Sequence, residues 1–529
     1  MIAHANAPLP YAHPILSPQE SGGLEERLLG GNEDKEWSAM QAAGRAVGIA
    51  VGWDSWELST PIGHRVLVLA GKGHNGGDAL LAAEELLSQW EDAEAVIIAM
   101  GAVDEMKPLT RRAYDLLMET DAVVEVIEIF SKEDVRELFE RRPGFFAEVE
   151  VVLDGLVGFQ FKPPLREPMQ TLIRALNRTP GIGLRAAVDL PSGVGSESDP
   201  EPFRADFTYA TGIVKAPLID AGNQQWVGRV RYCDIGFFNT PLAGEFDSDR
   251  LVLTPEVLAP LRALRPPESD KRDYGHPVIL GGSRAMPGAL LMAALAAVRS
   301  GAGLTTVLAP ESLLPAFPAQ LPEAMWTGLP ETPGGGIALE AQRLIEQQLE
   351  RATALLIGPG MGREPETRRL IAELAKSVNL PLALDADALH PEVIDALRER
   401  PSDFPPAVLT PHAGEYQRIA GDQPPQDFAR ELHAVLILKG SPSYITDGRK
   451  LCVSLVGGPV LARGGSGDLL AGMLVTQLAQ ERDDTLAQAC RAVYWHGSAA
   501  DTLAQRQGQT AARSTDLLNY LALGPQSPM

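Results

Sequence analysis

Short runs of continuous apolar residues alternate along this chain with stretches of helical periodicity. In the first half these runs lie at 65–70, 95–100, 122–129, 148–154 and 184–190. Strands without polar positions are typical of parallel sheets, because the connecting helices bury both faces of the sheet. The pattern therefore predicts an α/β fold whose sheets are covered on both sides.

A second series of the same kind follows a segment rich in proline and charged residues at 241–272. Its apolar runs lie at 277–282, 304–309, 354–358, 381–389, 406–410 and 434–440. The 529 residues are enough for two large α/β domains, and the halves differ in their glycine motifs, so no internal duplication is expected. We predict a flexible lead-in at 1–33 with a short helix near Gly23–Leu29, a first domain at 34–248 and a second at 249–529.

The charge balance narrows the classes of partner. There are 46 basic and 69 acidic residues, a net charge of −23, and no Lys/Arg run that would attract nucleic acid or an anionic membrane. The three cysteines lie far apart, so neither a disulfide framework nor a zinc site is expected. The sequence shows neither a signal-peptide pattern nor an apolar run of about 18 residues. We expect a cytoplasmic protein with no nucleic-acid or membrane partner.

Polar residues follow three strands of the first half at the point where each strand ends. GKGHNGGDAL at 71–80 combines glycines with the start of a helix, although its spacing matches no standard nucleotide motif. Asn75, Asp154 and Ser192 offer oxygen ligands for a hard cation. Asp189 is left as a candidate base. The alternatives, a tight turn for the glycines and helix caps for the aspartates, stay open at this point.

One segment of the second half carries a more specific pattern. Gly-Gly-Ser-Gly-Asp at 464–468 lies at the start of an apolar helix, where several backbone N–H groups can bind one anion. Asp468 stands beside those groups and can orient or deprotonate a hydroxyl that attacks a phosphoryl group. The alternative is a capped helix after a glycine turn. Glycine-rich loops also follow nearly every other strand of this half, which favours a binding site.

The first half resembles the N-terminal domain of the NAD(P)H-hydrate epimerases over about residues 36–240. The resemblance rests on SAMQAAGRAV, HNGGD, LDGLVGF, VDLPSGV and Lys215. It implies a Rossmann-like three-layer α/β/α sandwich, K⁺ bound by Asn75, Asp154 and Ser192, and Asp189 as the acid/base. It also implies substrate contacts at His74, Asn75, Gly76, Gly77, Asp78, Gly158, Phe159, Gln160, Phe161, Lys162 and Asp189. In this chain His74 replaces the first Asn of the usual NNGGD, Ala79 replaces the following glycine, and GFQFK replaces a GTG-like loop.

The second half resembles the ADP/ATP-dependent NAD(P)H-hydrate dehydratases of the ribokinase-like superfamily over about residues 250–525. That resemblance implies a ribokinase-like α/β domain that uses ADP and Mg²⁺, with Asp468 as a catalytic residue. Nucleotide contacts are expected at Lys439, Gly440, Ser441, Pro442, Ser443 and Gly467. Substrate contacts are expected at Gly288, Ala289, Gly360, His412 and Asp468. The chain has KGSPS where KGART is commoner, and Arg463 stands where Thr is frequent.

Together the two resemblances imply a bifunctional enzyme that repairs hydrated NADH and NADPH. The first domain would interconvert the R and S hydrates. The second would dehydrate the S hydrate at the expense of ADP, with release of AMP and phosphate. We also expect a homo-oligomer. The alternative is a small-molecule kinase of the ribokinase superfamily with a non-catalytic N-terminal binding domain, which would phosphorylate an alcohol without regenerating NADH.

Overall fold

The computed structural model describes residues 9–57, 64–90, 92–142, 144–159, 161–240, 248–480 and 484–522. Its first elements are a strand, β1 (Ala12–Pro14), and a helix, α1 (Pro18–Leu29). A capping box starts α1: Ser17 and Glu20 accept from each other's backbone N–H groups, and Pro18 takes the first helical position. Strand β1 pairs antiparallel with residues 251–253. This corrects the expected lead-in, because residues 12–29 form a paired strand and a helix longer than the predicted one.

The first sheet, as far as the chain is described, consists of seven parallel strands. They are β2 (Arg65–Ala70), β3 (Glu94–Met100), β4 (Val123–Ile129), β5 (Val151–Gly155), β6 (Leu184–Val188), β7 (Phe207–Thr211) and β8 (Arg229–Cys233). Their order is β4-β3-β2-β5-β6-β7-β8. The central strands β2 and β5 are almost fully buried, as expected for strands covered on both faces.

Helices lie on both faces of this sheet. They are α2 (Glu33–Ser55), α3 (His74–Gln89), α4 (Pro108–Met118), α5 (Lys132–Arg141), α6 (Met169–Arg178) and α7 (Gln224–Val227). Apolar side chains of α2, α3 and α4 pack on one face. Those of α5 and α6 pack on the other. The part of the chain built on this sheet, here called the first unit, is therefore a three-layer sandwich.

The second sheet contains eleven strands among the described residues. Besides β1 they are β9 (Arg250–Leu253), β10 (Pro277–Leu280), β11 (Thr306–Pro310), β12 (Met325–Leu329), β13 (Ala354–Ile357), β14 (Leu382–Leu384), β15 (Ala407–Leu409), β16 (Val435–Leu438), β17 (Ser443–Thr446) and β18 (Leu451–Ser454). Their order is β1-β9-β18-β17-β16-β15-β14-β13-β10-β11-β12. The pairs β1/β9, β16/β17 and β17/β18 are antiparallel, and the other pairs are parallel.

The part of the chain built on this sheet is called the second unit, and helices cover both of its faces. They are α8 (Pro287–Arg299), α9 (Gln342–Leu349), α10 (Pro365–Ser377), α11 (Pro391–Arg398), α12 (Ala413–Ala420), α13 (Pro425–Glu431), α14 (Ser466–Gln480) and α15 (Thr485–Gln507). Helices α8, α14 and α15 pack on one face. Helices α9 to α13 pack on the other. Within the described ranges, no helix is both long and apolar enough to cross a membrane.

A small apolar core joins the two units. Leu190, Val194 and Val230 of the first unit pack in it with Val252 and Val453 of the second. The chain changes sheets between β8, which ends at residue 233, and β9, which begins at residue 250. The α/β architecture with two covered sheets is confirmed, while the exact domain boundaries stay predictions.

Candidate functional site

The first candidate site lies where the strand order of the first sheet reverses. Strand β2 is paired with β3 on one side and with β5 on the other, so the loops after β2 and β5 diverge and open a crevice. Before they diverge, at the ends of β2 and β5, the two loops contact each other closely at glycines. A Cβ on Gly71 would lie 2.0 Å from the carbonyl oxygen of Leu156, and one on Gly155 would lie 2.6 Å from that of Asn75. Only glycine fits this close backbone contact.

Three oxygen-bearing side chains meet in this crevice. The buried Asp154 carboxylate accepts hydrogen bonds from the Ser192 N–H and from the Ser192 Oγ, each 2.7 Å long. The backbone of Val157 connects them to Asn75: its N–H donates to Ser192 Oγ over 3.1 Å, and its carbonyl accepts from Asn75 Nδ2 over 3.2 Å. Burial raises the pKa of Asp154 to about 6, against the opposing effect of the Ser192 hydrogen bonds. The structure thus brings together the three residues predicted for K⁺.

Asp189 lies beside this cluster in an unusual backbone conformation. Its φ of +66° is strained for a residue with a Cβ, and such strain is concentrated at functional sites. Asp189 Oδ1 accepts from Lys215 Nζ over 2.6 Å and from Thr211 Oγ1 over 3.3 Å. Burial alone would lower the pKa of Lys215, but Asp189 and Glu25 outweigh it and raise that pKa. The buried pair therefore places a carboxylate and a charged ammonium in direct contact.

A further carboxylate reaches this pair from α1. Glu25 Oε1 lies 3.9 Å from Lys215 Nζ. Burial raises the pKa of Glu25 to about 7, with Lys215 opposing and Asp189 adding to the effect. Burial, Asp189 and Glu25 also raise the pKa of Asp78 well above its usual range. Sequence reasoning missed Glu25. The Ser17-x-x-Glu20 capping box could have located its helix, but not the surface on which that helix packs.

The other predicted substrate residues of the first unit occupy varied positions. Phe159 lies beside the pair, with its ring centroid 5.4 Å from Lys215 Nζ. Gly158 approaches Asn75, since a Cβ there would lie 3.6 Å from the Asn75 Cβ. Gly76 is buried against the Gly71 carbonyl in the first turn of α3.

The remaining predicted residues of this set have other surroundings. Gly77 faces α2, since a Cβ there would lie 2.7 Å from Met40 Sδ, so its contact is one of helix packing. His74 is exposed at the start of α3, and Phe161 packs with the apolar cluster under α6. Lys162 is exposed, and no contact among the described residues joins it to the crevice. Gln160 lies outside the described residues.

The second candidate site lies at the corresponding reversal of the second sheet. Strand β10 is paired with β11 on one side and β13 on the other. The loops after β10 and β13 meet at Gly360, which has a φ of +65°. A Cβ there would lie 2.4 Å from the Met286 carbonyl and 3.1 Å from the Ala289 Cβ. Gly288 and Ala289 form the first turn of α8, so the structure brings these predicted substrate residues to one crevice.

Asp468 lies in the first turn of α14, which begins within the GGSGD segment. Burial raises its pKa to about 7, and the carboxylates of Asp385 and Asp387 add to the effect while Lys439 opposes it. Lys439 does not pair with Asp468. Its Nζ lies 2.8 Å from Asp385 Oδ1, which also accepts a 2.6 Å hydrogen bond from Thr410 Oγ1. Asp385 follows the end of β14 and was missed, although an Asp after an apolar strand was a visible signal.

A cavity of about 680 Å³ lies beside Lys439 and the start of α14. Its walls include all six residues predicted to contact the nucleotide: Lys439, Gly440, Ser441, Pro442, Ser443 and Gly467. Arg463 also lines it, with its guanidinium donating to the carbonyls of Thr510 over 2.9 Å and Ala512 over 2.5 Å. His412 reaches the cavity too, and it caps α12 by accepting at Nδ1 from Gly414 N–H over 3.0 Å. His412 thus has a structural role as well as a place at the site.

The comparisons with known proteins agree in both halves. The family model described as YjeF-related protein N-terminus matches residues 38–216, and the one described as NAD(P)H-hydrate dehydratase matches residues 277–523. A protein of Gloeobacter violaceus named bifunctional NAD(P)H-hydrate repair enzyme Nnr is 33% identical, covering 88% of this chain and 89% of its own length. The Vibrio cholerae protein of the same name is 30% identical, covering 97% of this chain and 98% of its own length.

A solved structure also matches the second half. It is that of the ADP/ATP-dependent NAD(P)H-hydrate dehydratase from Bacillus subtilis co-crystallised with ATP and Mg²⁺. That chain is 29% identical, and the match covers 49% of this chain and 91% of that one, with a TM-score of 0.43.

Proposed function

This chain belongs to the family of bifunctional NAD(P)H-hydrate repair enzymes, and we propose that its two sites divide the repair into two steps. The first unit interconverts the R and S hydrates of NADH and NADPH. The second unit dehydrates the S hydrate with ADP. The observation that carries the proposal is that one chain holds two separate crevices, one around Asp189 and one beside Asp468, each at the reversal point of its own sheet.

In the first unit we assign the acid/base role to Asp189. Proton transfer during inversion at C6 needs a group that both accepts and returns a proton. Asp189 is buried and fixed by Lys215, and the raised pKa values of Glu25 and Asp78 place further exchangeable protons nearby. Phe159 supplies an apolar surface for the nicotinamide ring beside this pair.

Asn75, Asp154 and Ser192 would hold K⁺. The fit is supported by the donor set, because the amide, carboxylate and hydroxyl all offer oxygen, the ligand that hard cations prefer. The Val157 carbonyl, which contacts both Asn75 and Ser192, adds a fourth oxygen. A bound cation would supply positive charge beside the substrate. The protein's own part is to keep Asp154 ionised and oriented through Ser192.

In the second unit the terminal phosphoryl group of ADP passes to the C6 hydroxyl of the S hydrate. The hydroxyl proton goes to Asp468, and AMP is released. Loss of phosphate from C6, with a proton from C5, then restores the C5–C6 double bond. Hydroxide leaves poorly and phosphate leaves well, which is the reason for using a nucleotide. The N–H groups at the start of α14 stabilise the charge that develops on the phosphoryl oxygens.

Mg²⁺ would accompany ADP at this site. Within the described ranges, no group of three or more His, Cys, Asp and Glu side chains is close enough to hold a metal. Mg²⁺ is commonly bound by substrate phosphates with one or two carboxylates. Asp385 and Asp387, the carboxylates that raise the pKa of Asp468, are the nearest candidates. The ion would neutralise phosphoryl charge.

One experiment tests the division of labour. A mixture of R and S hydrates is incubated with the protein and Mg²⁺, with ADP or ATP, and recovery of the NADH absorbance is followed. We expect full recovery with ADP. Phosphorylation of an alcohol without recovery would instead support a small-molecule kinase of the ribokinase superfamily. The preference for ADP over ATP, a homo-oligomeric state and a cytoplasmic location are further parts of the proposal.

A further inference from the structure

The cavity of the second unit is not lined by that unit alone. Arg229, on β8 of the first sheet, lies in its wall with Gly457 and Gly458. A Cβ on Gly458 would lie 2.5 Å from Arg229 Cζ, so the guanidinium packs directly on the glycine backbone. The shape of this wall therefore depends on where the first unit places an arginine.

That arginine belongs to a cluster of five charged side chains. Arg229 Nη1 lies 2.7 Å from Glu57 Oε2, and Arg229 Nη2 lies 2.8 Å from Asp501 Oδ1. Arg231, two residues along the same strand, lies 2.7 Å from Asp54 Oδ1 and 2.7 Å from Asp501 Oδ2. We call Asp54, Glu57, Arg229, Arg231 and Asp501 the interunit ion cluster. All but Asp501, which lies on α15, belong to the first unit.

Asp501 connects this cluster to the cavity wall. Its Oδ2 accepts a 2.9 Å hydrogen bond from the Gly457 N–H, and Arg229 also approaches the Gly457 carbonyl at 3.5 Å. Both backbone groups of Gly457 are therefore held by the interunit ion cluster. Moving either arginine would shift the wall.

Because the interunit ion cluster is buried, the positions of its side chains depend on one another. Its side chains are between 3% and 13% exposed. Buried ion pairs add little net stability, but removing one partner leaves an uncompensated charge that must relax. Arg229 is already neutralised by two carboxylates, so its contribution to the cavity is geometric. It positions the wall and has no spare charge for a phosphate.

The first unit also touches a second side of the cavity. Gln224 Nε2 donates to the Ser441 carbonyl over 3.2 Å, and the Tyr444 hydroxyl donates to the Ile219 carbonyl over 3.1 Å. These contacts hold the 439–443 loop, which carries five of the residues that line the cavity. Two parts of the cavity wall, at 439–443 and at 457–458, are thus supported from the first unit.

We propose that the first unit completes the nucleotide site of the second, with the interunit ion cluster as the positioning element. Affinity for a nucleoside diphosphate in this cavity then depends on Arg229 and its partners. The inference rests on the proposed function, since it takes the cavity as the ADP site. Among the described residues, Asp189 and Lys215 make no contact with the interunit ion cluster, so we expect variants of the cluster to keep the epimerase site.

The test compares Arg229→Met with Arg65→Met in the full chain. Arg65 also forms ion pairs with two carboxylates, Glu94 and Glu148, but on a remote part of the first unit. We expect Arg229→Met to weaken ADP binding, measured by calorimetry, and to raise the KM for ADP about tenfold, more than it lowers kcat. Arg65→Met should leave both ADP constants within about twofold. Arg229→Lys should recover part of the loss, because it keeps one charged contact.

Epimerase activity reports folding of each variant. If Arg229→Met has no epimerase activity, the inference is tested with Glu57→Gln. This isosteric change lies outside the cavity and should raise the KM for ADP about threefold. Unchanged ADP affinity in a folded Arg229→Met, or in Glu57→Gln where the first variant fails to fold, overturns the inference. Failure of the unmodified chain to bind ADP would instead overturn the proposed function itself.

Discussion

Asp189, which follows β6, and Asp468, in the first turn of α14, are the two carboxylates proposed for catalysis, and they have different neighbours. Asp189 is in contact with Lys215, so a buried ammonium stabilises its charge. Near Asp468 a lysine, Lys439, is bound by Asp385, and burial with the carboxylates of Asp385 and Asp387 raises the pKa of Asp468 to about 7. The first carboxylate is held by a fixed ion pair, whereas the second is kept close to a protonation equilibrium at neutral pH.

The difference matches the two proposed tasks. Epimerisation needs a group that returns the proton it takes, and a lysine in direct contact can stabilise the charged state between the two transfers. Phosphoryl transfer needs a base that accepts a hydroxyl proton, and a carboxylate with a pKa near the working pH does so with the best balance of availability and strength.

Removal of the Asp468 carboxylate should have the largest effect on activity. Asp468→Asn keeps the shape of the side chain but cannot accept the proton, so ADP-dependent recovery of NADH should fall about a thousandfold. The measurement is the initial rate of NADH absorbance recovery from the S hydrate at saturating ADP. Asp427→Asn, in the first turn of α13, is the matched control and should keep the full rate. A loss smaller than about tenfold would show that Asp468 is not the base.

Removal of the first carboxylate should separate the two steps. With a mixture of R and S hydrates and ADP, Asp189→Ala should convert the S share at the normal rate and the rest about a hundredfold more slowly. The absorbance trace should therefore have two phases, with the first unchanged. Asp115→Ala, an exposed helix position in the first unit, should give a single phase. A single fast phase in Asp189→Ala would show that Asp189 is dispensable.

The pH dependence of dehydration should report the ionisation of Asp468. A base with a pKa of about 7 loses activity as the pH falls below that value, so the kcat/KM of dehydration should drop tenfold for each pH unit below about 7. Asp385→Asn removes a neighbouring negative charge and frees Lys439, and both changes lower the pKa of Asp468. The variant is assayed at saturating Mg²⁺, because Asp385 is also a candidate ligand of that ion. The descending limb should move to lower pH by about one unit. An unmoved limb would mean that the titrating group is another one.

The sequence predicted the buried parallel strands well and the short edge strands poorly. Strands such as β2 and β5 are recognisable because every position is apolar, the direct consequence of burial on both faces. Strand β1 has three residues, one of them proline, and becomes a strand only because β9 pairs with it. Such pairing depends on contacts about 240 positions apart in the sequence, which local patterns do not contain.

The same limit applies to the sites. Asn75, Asp154 and Ser192 could be predicted to lie together because loops at the same end of parallel strands must meet. Glu25 could not, since its distance to Lys215 is set by how α1 packs against Ile213, two residues before that lysine. Lys439 was assigned to the nucleotide from its motif, and its pairing with Asp385 became visible only in three dimensions.

The smallest expected effect concerns K⁺, and it sets the first site against the second. Among the described residues no lysine pairs with Asp154, and its buried carboxylate accepts hydrogen bonds from Ser192 and from the backbone N–H of Leu156. A monovalent cation would therefore stabilise its charge and order the crevice. Asp154→Ala should raise the K⁺ concentration needed for half-maximal epimerisation by about tenfold.

The rate of epimerisation is measured in desalted protein titrated with KCl at constant ionic strength. ADP-dependent conversion of the S share in the same sample is the internal control, and it should not change, because the described contacts of Asp154 stay within the first unit. If the unmodified protein epimerises equally fast with and without K⁺, the oxygen cluster is a structural support for the 154–157 loop, and the two sites then differ only in the partners of their catalytic carboxylates.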